Sequence, residues 1–207
     1  MTTPDVSLRN LREAIRKLEA KFLVKHLAST SLSPLSDQDA LDVDAFVVLS
    51  HAAFEEYFES IALWVLDQSV DAWKNGRQTK SVSTLLLHLG TRSDIKEGTP
   101  PSRSFDRIKE ELEKIKGKFS HQISEKNHGM AQKYLMKIFY PLAIDITDDP
   151  ALLSSLDAFA KQRGAAAHKT AQGLNRQLSP QDTRIYVNDC LKLAEDMQTK
   201  ATKIVSP

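Results

Sequence analysis

The stretch that decides the fold is Asp39–Trp73, DALDVDAFVVLSHAAFEEYFESIALWVLDQSVDAW. Leu41, Ala45, Val48, Leu49, Ala52, Ala53, Tyr57, Ile61, Trp64, Val65 and Gln68 recur at helical spacing as one broad stripe. Phe46, Phe54, Phe58 and Leu63 widen it further. A helix apolar over so much of its circumference is the centre of a bundle or lies at a subunit interface. His51, Glu55, Glu56, Glu59 and Asp67 interrupt it, so it does not read as a membrane span. Asn75-Gly76 closes it.

Working outward, the segments on either side also read as helices. Ser7 to about Ala28 carries Leu8, Leu11, Ile15, Leu18 and Phe22 at three-four spacing. The segment STSLSPLSDQDA then forms a loop, with Ser36 or Asp37 placed to cap the long helix. Ser81–Leu89 is a short helix stopped by Gly90, and Thr91–Ser104, with Gly98, Pro100 and Pro101, reads as a long irregular loop. Phe105–His121 is a charged helix whose narrow apolar face is Ile108, Leu112, Ile115 and Phe119. Asn127-His128-Gly129 is a break, and Met130–Phe139 resumes as helix until Pro141. Asp149-Pro150 and Ser179-Pro180 are matching start signals, a capping side chain followed by proline at the first helical position. The first opens a helix with Leu152, Leu153, Leu156, Phe159 and Ala160 inward. The second opens a last helix, Gln181 to about Ile204, with Ile185, Val187, Leu191, Ala194 and Met197 inward.

No strand-like alternation exceeds four or five residues, so the expected fold is all-α, a helical bundle. No domain boundary stands out. The chain reads as one domain over 1–207, with an N-terminal helix and loop (1–38) and a core bundle (39–205). The net charge of +1 gives no global basic field, so any nucleic-acid contact needs a local patch. A single cysteine, Cys190, excludes an intramolecular disulfide and a cysteine-rich zinc site. It fits a cytoplasmic protein, and MTTPDVSLRN lacks the apolar core of a signal peptide.

Three stretches carry residues with chemistry. In DAFAKQRGAAAHKT, Asp157–Thr170, Arg163 and His168 stand five residues apart. Leu152, Leu156, Phe159 and Arg163 step by four, three and four, so Arg163 is expected to continue the buried stripe. His168 lies about 140° round an ideal helix from Arg163, so the two diverge unless the helix breaks, for which Gly164 offers a place, or a second chain supplies the partner motif. The structural alternative is an Arg that pairs with a carboxylate and a His near a helix end. In SHAAFEEYFES, Ser50–Ser60, His51 and Glu55 share one helical face, and Glu55 or Glu56 sits against the apolar stripe, where a carboxylate wants a cation such as Arg163. The second histidine of a zinc-peptidase helix is lacking. Lys126-Asn127-His128-Gly129 reads first as a helix end and turn, and His128 is a secondary candidate for RNA contact. There is no phosphate-cradling Gly loop, no Ser/His/Asp spacing and no metal-ligand cluster.

Taken together, VLSHAAFEEYFESIALWVLDQ, KNHGMAQKYLMKIFYPLAI and DAFAKQRGAAAHKT resemble, in this order, the HEPN superfamily, nearest its RiboL-PSP-HEPN type, over roughly Asp39–Lys200. The HEPN signature is Arg-x4–6-His, and Arg163 to His168 matches its shortest form. The resemblance implies an all-α bundle forming a symmetric homodimer in which two such motifs meet. It also implies a metal-independent ribonuclease of toxin–antitoxin, phage-defence or RNA-processing systems, or an inactive module that binds RNA or a protein. The residue after the Arg is often polar in that family; here it is Gly164.

The residues suit that chemistry. Cleavage by the ribose 2′-OH needs a base, an acid for the leaving 5′-oxygen and a cation for the phosphorane. His168 serves either proton transfer near neutrality. Arg163 is permanently charged and presents a fork that matches phosphate oxygens. Glu55 would hold Arg163 by a charge-assisted hydrogen bond, with His51 and Gly164 in support. Lys161, Lys169 and Arg176 put positive charge where the RNA would lie. The RNA supplies its own nucleophile, so the reading calls for no metal and no cofactor. The expected partners are a second copy, RNA and an antitoxin or sensor protein, with no membrane. The rival readings are a non-catalytic HEPN module and a helical scaffold with no nucleic-acid role.

Overall fold

A computed structural model describes residues 2–28, 35–90, 101–126, 129–167 and 179–206, with the backbone alone for 101–105. The described residues contain helices and connecting turns and no strand. Helix α1 (Pro4–Leu18) runs through a π turn (Glu19–Leu23) into α2 (Val24–Leu27). It starts before the expected Ser7 because Pro4 occupies the first turn, where its missing N–H costs nothing. Helix α3 (Asp37–Lys74) is the long central helix; the Ser36 hydroxyl caps it by accepting from Asp39 N at 3.2 Å. Then follow α4 (Lys80–Leu89), α5 (Pro101–His121) with a π turn (Gln122–Lys126), α6 (Gln132–Phe139) with a 3-10 turn (Tyr140–Leu142), α7 (Pro150–Ala167) and α8 (Pro180–Val205). Helix α5 begins at Pro101, so the irregular loop expected through Ser104 is shorter at that end; its residues 91–100 lie outside the described set.

The caps sit where side chain and proline place them. Asp149 Oδ1 accepts from Ala151 N at 2.8 Å at the head of α7, and Ser179 Oγ accepts from Asp182 N at 3.2 Å at the head of α8. Each such cap is worth about 1 kcal/mol.

α3 packs against α1, α4, α5, α6, α7 and α8. Its buried face keeps Tyr57, Ile61 and Val65 of the expected stripe and corrects the rest. Phe46, Phe54 and Phe58 are fully buried, whereas Leu41 is 57% and Leu49 44% exposed, and Ala52 is exposed too. Phe54 and Phe58 reach the neighbouring helices α7 and α6, and Val43, Val47, Ala62, Val65 and Val70 are as deeply buried on the same helix. Phe54 meets Phe159 edge to face with centroids 6.1 Å apart, and Phe58 meets Phe139 the same way at 6.2 Å. Burying one such ring contributes about 2 kcal/mol. Leu41, Leu49 and Ala52 are left facing outward, with Ala45 and Val48 half-buried beside them.

A few polar bonds set how helices sit on α3. The Tyr57 hydroxyl donates to Ala194 O at 2.8 Å, tying α3 to α8, and burial pushes its pKa up. Ser155 donates to Asp189 Oδ2 at 2.7 Å and Thr183 to Gln162 Oε1 at 3.3 Å, so α7 is held against α8 at two places. In α8, Val187, Ala194 and Met197 are buried as expected, but Ile185 is 55% exposed and Cys190 and Leu193 take the inward positions. Burial raises the Cys190 thiol pKa. No described helix is long and apolar enough to cross a membrane.

Candidate functional site

α3, the turn at Gly129 and α7 converge on Glu55. On α3, His51 and Glu55 are one turn apart on the same face. His51 is 3% exposed and lies against the Phe159 ring of α7, centroids 6.0 Å apart. Its Nδ1 is 3.6 Å from Glu55 Oε2. The other carboxylate oxygen, Oε1, accepts from the backbone N–H of Gly129.

Gly129 is required at this place for two reasons. Its φ of +123° lies where an L side chain is strained, and an added Cβ would stand 3.1 Å from the Tyr134 ring. Only a residue without a side chain lets the backbone N–H turn toward Glu55 while Tyr134 packs against the turn. Next to it, Asp157 Oδ1 of α7 accepts from Gln132 N at 3.2 Å and so caps the start of α6.

The Glu55 carboxyl is held below its ordinary value of 4.5, chiefly by His51, then by the Gly129 N–H and by the positive charge of Arg163, against an opposing effect of burial. It is therefore a fixed anion at neutral pH; it bonds the first of the three HEPN-like segments to the second and feels the charge of Arg163 on the third.

The structure revises what Glu55 does. Its two oxygens are engaged by His51 and Gly129, not by the guanidinium of Arg163. Arg163 is exposed rather than part of the buried stripe, and it acts on Glu55 through space. The helical geometry explains this. Ala166, seven residues past Phe159 and about 20° off its line, packs on the core, while Arg163 stands about 40° off on the other side. The guanidinium fork is left free to face solvent or a ligand.

Gly164 does not break α7, which runs unbroken to Ala167. A Cβ there would meet nothing within 4 Å. The supporting role expected of Gly164, a bend that would reconcile Arg163 with His168, is therefore absent from the helix. Lys161 is exposed on the same helix. His168, Lys169, Arg176 and His128 lie outside the described residues.

One group beside the site was missed. Lys133 and Lys137 of α6 both place Nζ over the ring of Tyr134, 4.9 Å and 5.4 Å from its centroid. Both lysines are exposed, and the same ring touches the Gly129 turn. The signal was present in KYLMK, an aromatic flanked by lysines at one and three residues on the surface side of a short helix. Lys133 and Lys137 thus gather two positive charges at one ring on a chain of net charge +1.

A buried histidine paired with a half-buried glutamate, a glycine turn bonded to that glutamate and an exposed arginine are carried by an all-helical bundle. The profile of the RiboL-PSP-HEPN family matches residues 11–203. The chain belongs to this family of HEPN domains. Comparison with curated proteins and with solved structures gives no match.

Proposed function

We propose that this chain is a HEPN endoribonuclease that works as a symmetric homodimer, in a toxin or phage-defence setting. The observation that carries the reading is the placement of Arg163: exposed on α7, within the charge of the anion Glu55, whose own bonds go to His51 and the Gly129 turn. An exposed arginine whose fork bonds no carboxylate among the described residues suits a phosphate oxygen as its partner.

In this reading His168 takes the proton of the ribose 2′-OH, or gives one to the leaving 5′-oxygen, with the partner chain's copy of the motif serving the other transfer. The 2′-oxygen forms a bond to phosphorus as the bond to the 5′-oxygen breaks. Arg163 neutralises the charge on the phosphorane oxygens. His51 and Glu55 are positioning residues, and Lys161, with Lys169, Arg176 and His128, contacts the RNA. The nucleophile belongs to the RNA, so no metal is needed to generate it.

The outward row of α3 supports the dimer. Leu41, Ala45, Val48, Leu49 and Ala52 lead along one side of the helix up to the turn that carries Glu55. Packing that row on its copy across a two-fold axis buries the exposed leucines and sets two Glu55–Arg163 centres side by side. An antitoxin or sensor protein is the natural restraint on such an activity.

A second reading, a HEPN module that binds RNA or a partner without cleaving, is favoured by Gly164, where the family often carries a polar residue. Analysis of product ends separates the two. The ribonuclease leaves a 2′,3′-cyclic phosphate and a 5′-hydroxyl; an RNA left intact by the purified chain supports the module instead.

A further inference from the structure

The opposite end of the bundle carries a second cleft. From Glu55 to Ala72 along α3 is about 25 Å at the rise of a helix. There the end of α3, the start of α4, the chain after the 3-10 turn and the last turns of α8 enclose about 730 Å³. Two left-handed residues shape it: Gly76 at φ +80° turns the chain out of α3, and Ala143 at φ 60° turns it out of the 3-10 helix. A volume of this size is in the range of about 300–1,000 Å³ that holds small ligands.

The lining is unequal in charge. Arg77, Lys80, Lys200 and Lys203 face it, against one carboxylate, Asp145. Lys200 is already engaged, donating to Asp145 O at 3.1 Å and Ile146 O at 2.7 Å and pairing with Asp196 at 2.7 Å. Arg77, Lys80 and Lys203 are exposed, and none is paired with a carboxylate among the described residues. Three like charges around one hollow repel each other, and an anion seated between them removes that repulsion. Thr79 caps the head of α4 there, so the positive end of a helix of ten residues adds to the same field. The floor is apolar, formed by Ala72, Ile144 and Ile204.

We infer that this cleft binds a small organic phosphate, its dianionic head on Arg77, Lys80 and Lys203 and its apolar body on Ile144 and Ile204. A phosphate oxygen pair suits the Arg77 fork, and the two lysines serve as point charges around it. The apolar side chains Ala72, Ile144 and Ile204 beside the cations favour a small organic molecule over a nucleic-acid backbone, which offers them only charge. The site is separate from Arg163 and does not depend on cleavage.

The test is calorimetric titration of the full chain at low salt with phenyl phosphate and with inorganic phosphate. Phenyl phosphate binds saturably and about tenfold more tightly than inorganic phosphate. The triple variant Arg77→Gln, Lys80→Gln, Lys203→Gln, whose changes are all at the surface, weakens both by about tenfold or more. Ile204→Ser lowers phenyl phosphate to the level of inorganic phosphate and leaves the latter unchanged. Absence of saturable heat from either probe overturns the inference. So does binding that the triple variant leaves intact. A triple variant that loses RNA binding, in a chain that takes up neither phosphate, also overturns it and assigns these cations to a nucleic-acid track.

Discussion

Glu55, in the middle of α3, accepts a hydrogen bond from the backbone of Gly129, 74 residues further along the chain. That single bond holds the turn between α5 and α6 against the central helix. It also leaves Arg163 of α7 unbonded to the carboxylate whose charge it feels. The candidate site is thus built from a backbone N–H, a buried histidine and a glutamate, and its arginine is a free end.

Two glycines test this arrangement with opposite signs. Gly129→Ala forces a side chain into a left-handed conformation and against Tyr134, and is expected to cost about 1–3 kcal/mol. Gly164→Ala, in an unbroken helix with open space at its Cβ, is expected to stabilise by about 0.5–1 kcal/mol. Urea denaturation of both variants checks the pair. Destabilisation by Gly164→Ala would mean that the helix does bend there.

The pH dependence of stability should carry a Glu55 component. Its carboxyl is depressed in the folded state, first by His51, from an unfolded value near 4.5. A depressed carboxyl stabilises fully above the unfolded value and loses that stabilisation as pH falls through the folded one. Wild type should therefore exceed Glu55→Gln in stability at neutral pH, with the gap closing as the pH drops below about 4.5. Denaturation of both proteins across pH 3–7 measures it; a gap independent of pH would remove the charge from the account.

Much of the fold is legible in the sequence. Ser36, Asp149 and Ser179 cap where their side chains place them, the last two with a proline following. The face of α3 is a different matter. That helix is apolar nearly all round, so periodicity cannot say which side is core. In the fold the rings Phe46, Phe54 and Phe58 lie on the buried side together with Val43, Val47, Ile61 and Val65. The exposure of Arg163 escaped for a related reason: a four-three-four step drifts off a straight line, and the drift matters only once Ala166 is seen on the core. The convergence of His51, Glu55 and Gly129 joins residues far apart in the chain, and no local pattern encodes it. The Tyr134 group was readable but looked like an ordinary helix surface.

The outward row of α3 gives a clean separation of folding from assembly. Leu41→Glu with Leu49→Glu alters two side chains that are 57% and 44% exposed, so the isolated chain should keep its stability within about 0.5 kcal/mol. Light scattering should show wild type as a dimer and the double variant as a monomer, with RNA cleavage lost alongside. A variant that stays dimeric would move the interface to another face.

The cations around Tyr134 should be felt as salt dependence. Lys133→Gln with Lys137→Gln removes two charges beside the site, and the slope of log binding constant against log salt should fall by about 1–2 for RNA. Filter binding over a salt series measures it, and an unchanged slope would take α6 out of the RNA path.

The central claim is that Arg163 and His168 perform metal-free RNA cleavage. Its most direct test is cleavage of a single-stranded RNA by purified wild type, Arg163→Ala and His168→Ala in excess chelator. The account predicts cleavage by wild type and a loss of about a hundredfold or more in each variant, with all three proteins folded and dimeric. Equal activity in the three, or activity that chelator abolishes in the wild type, would contradict it.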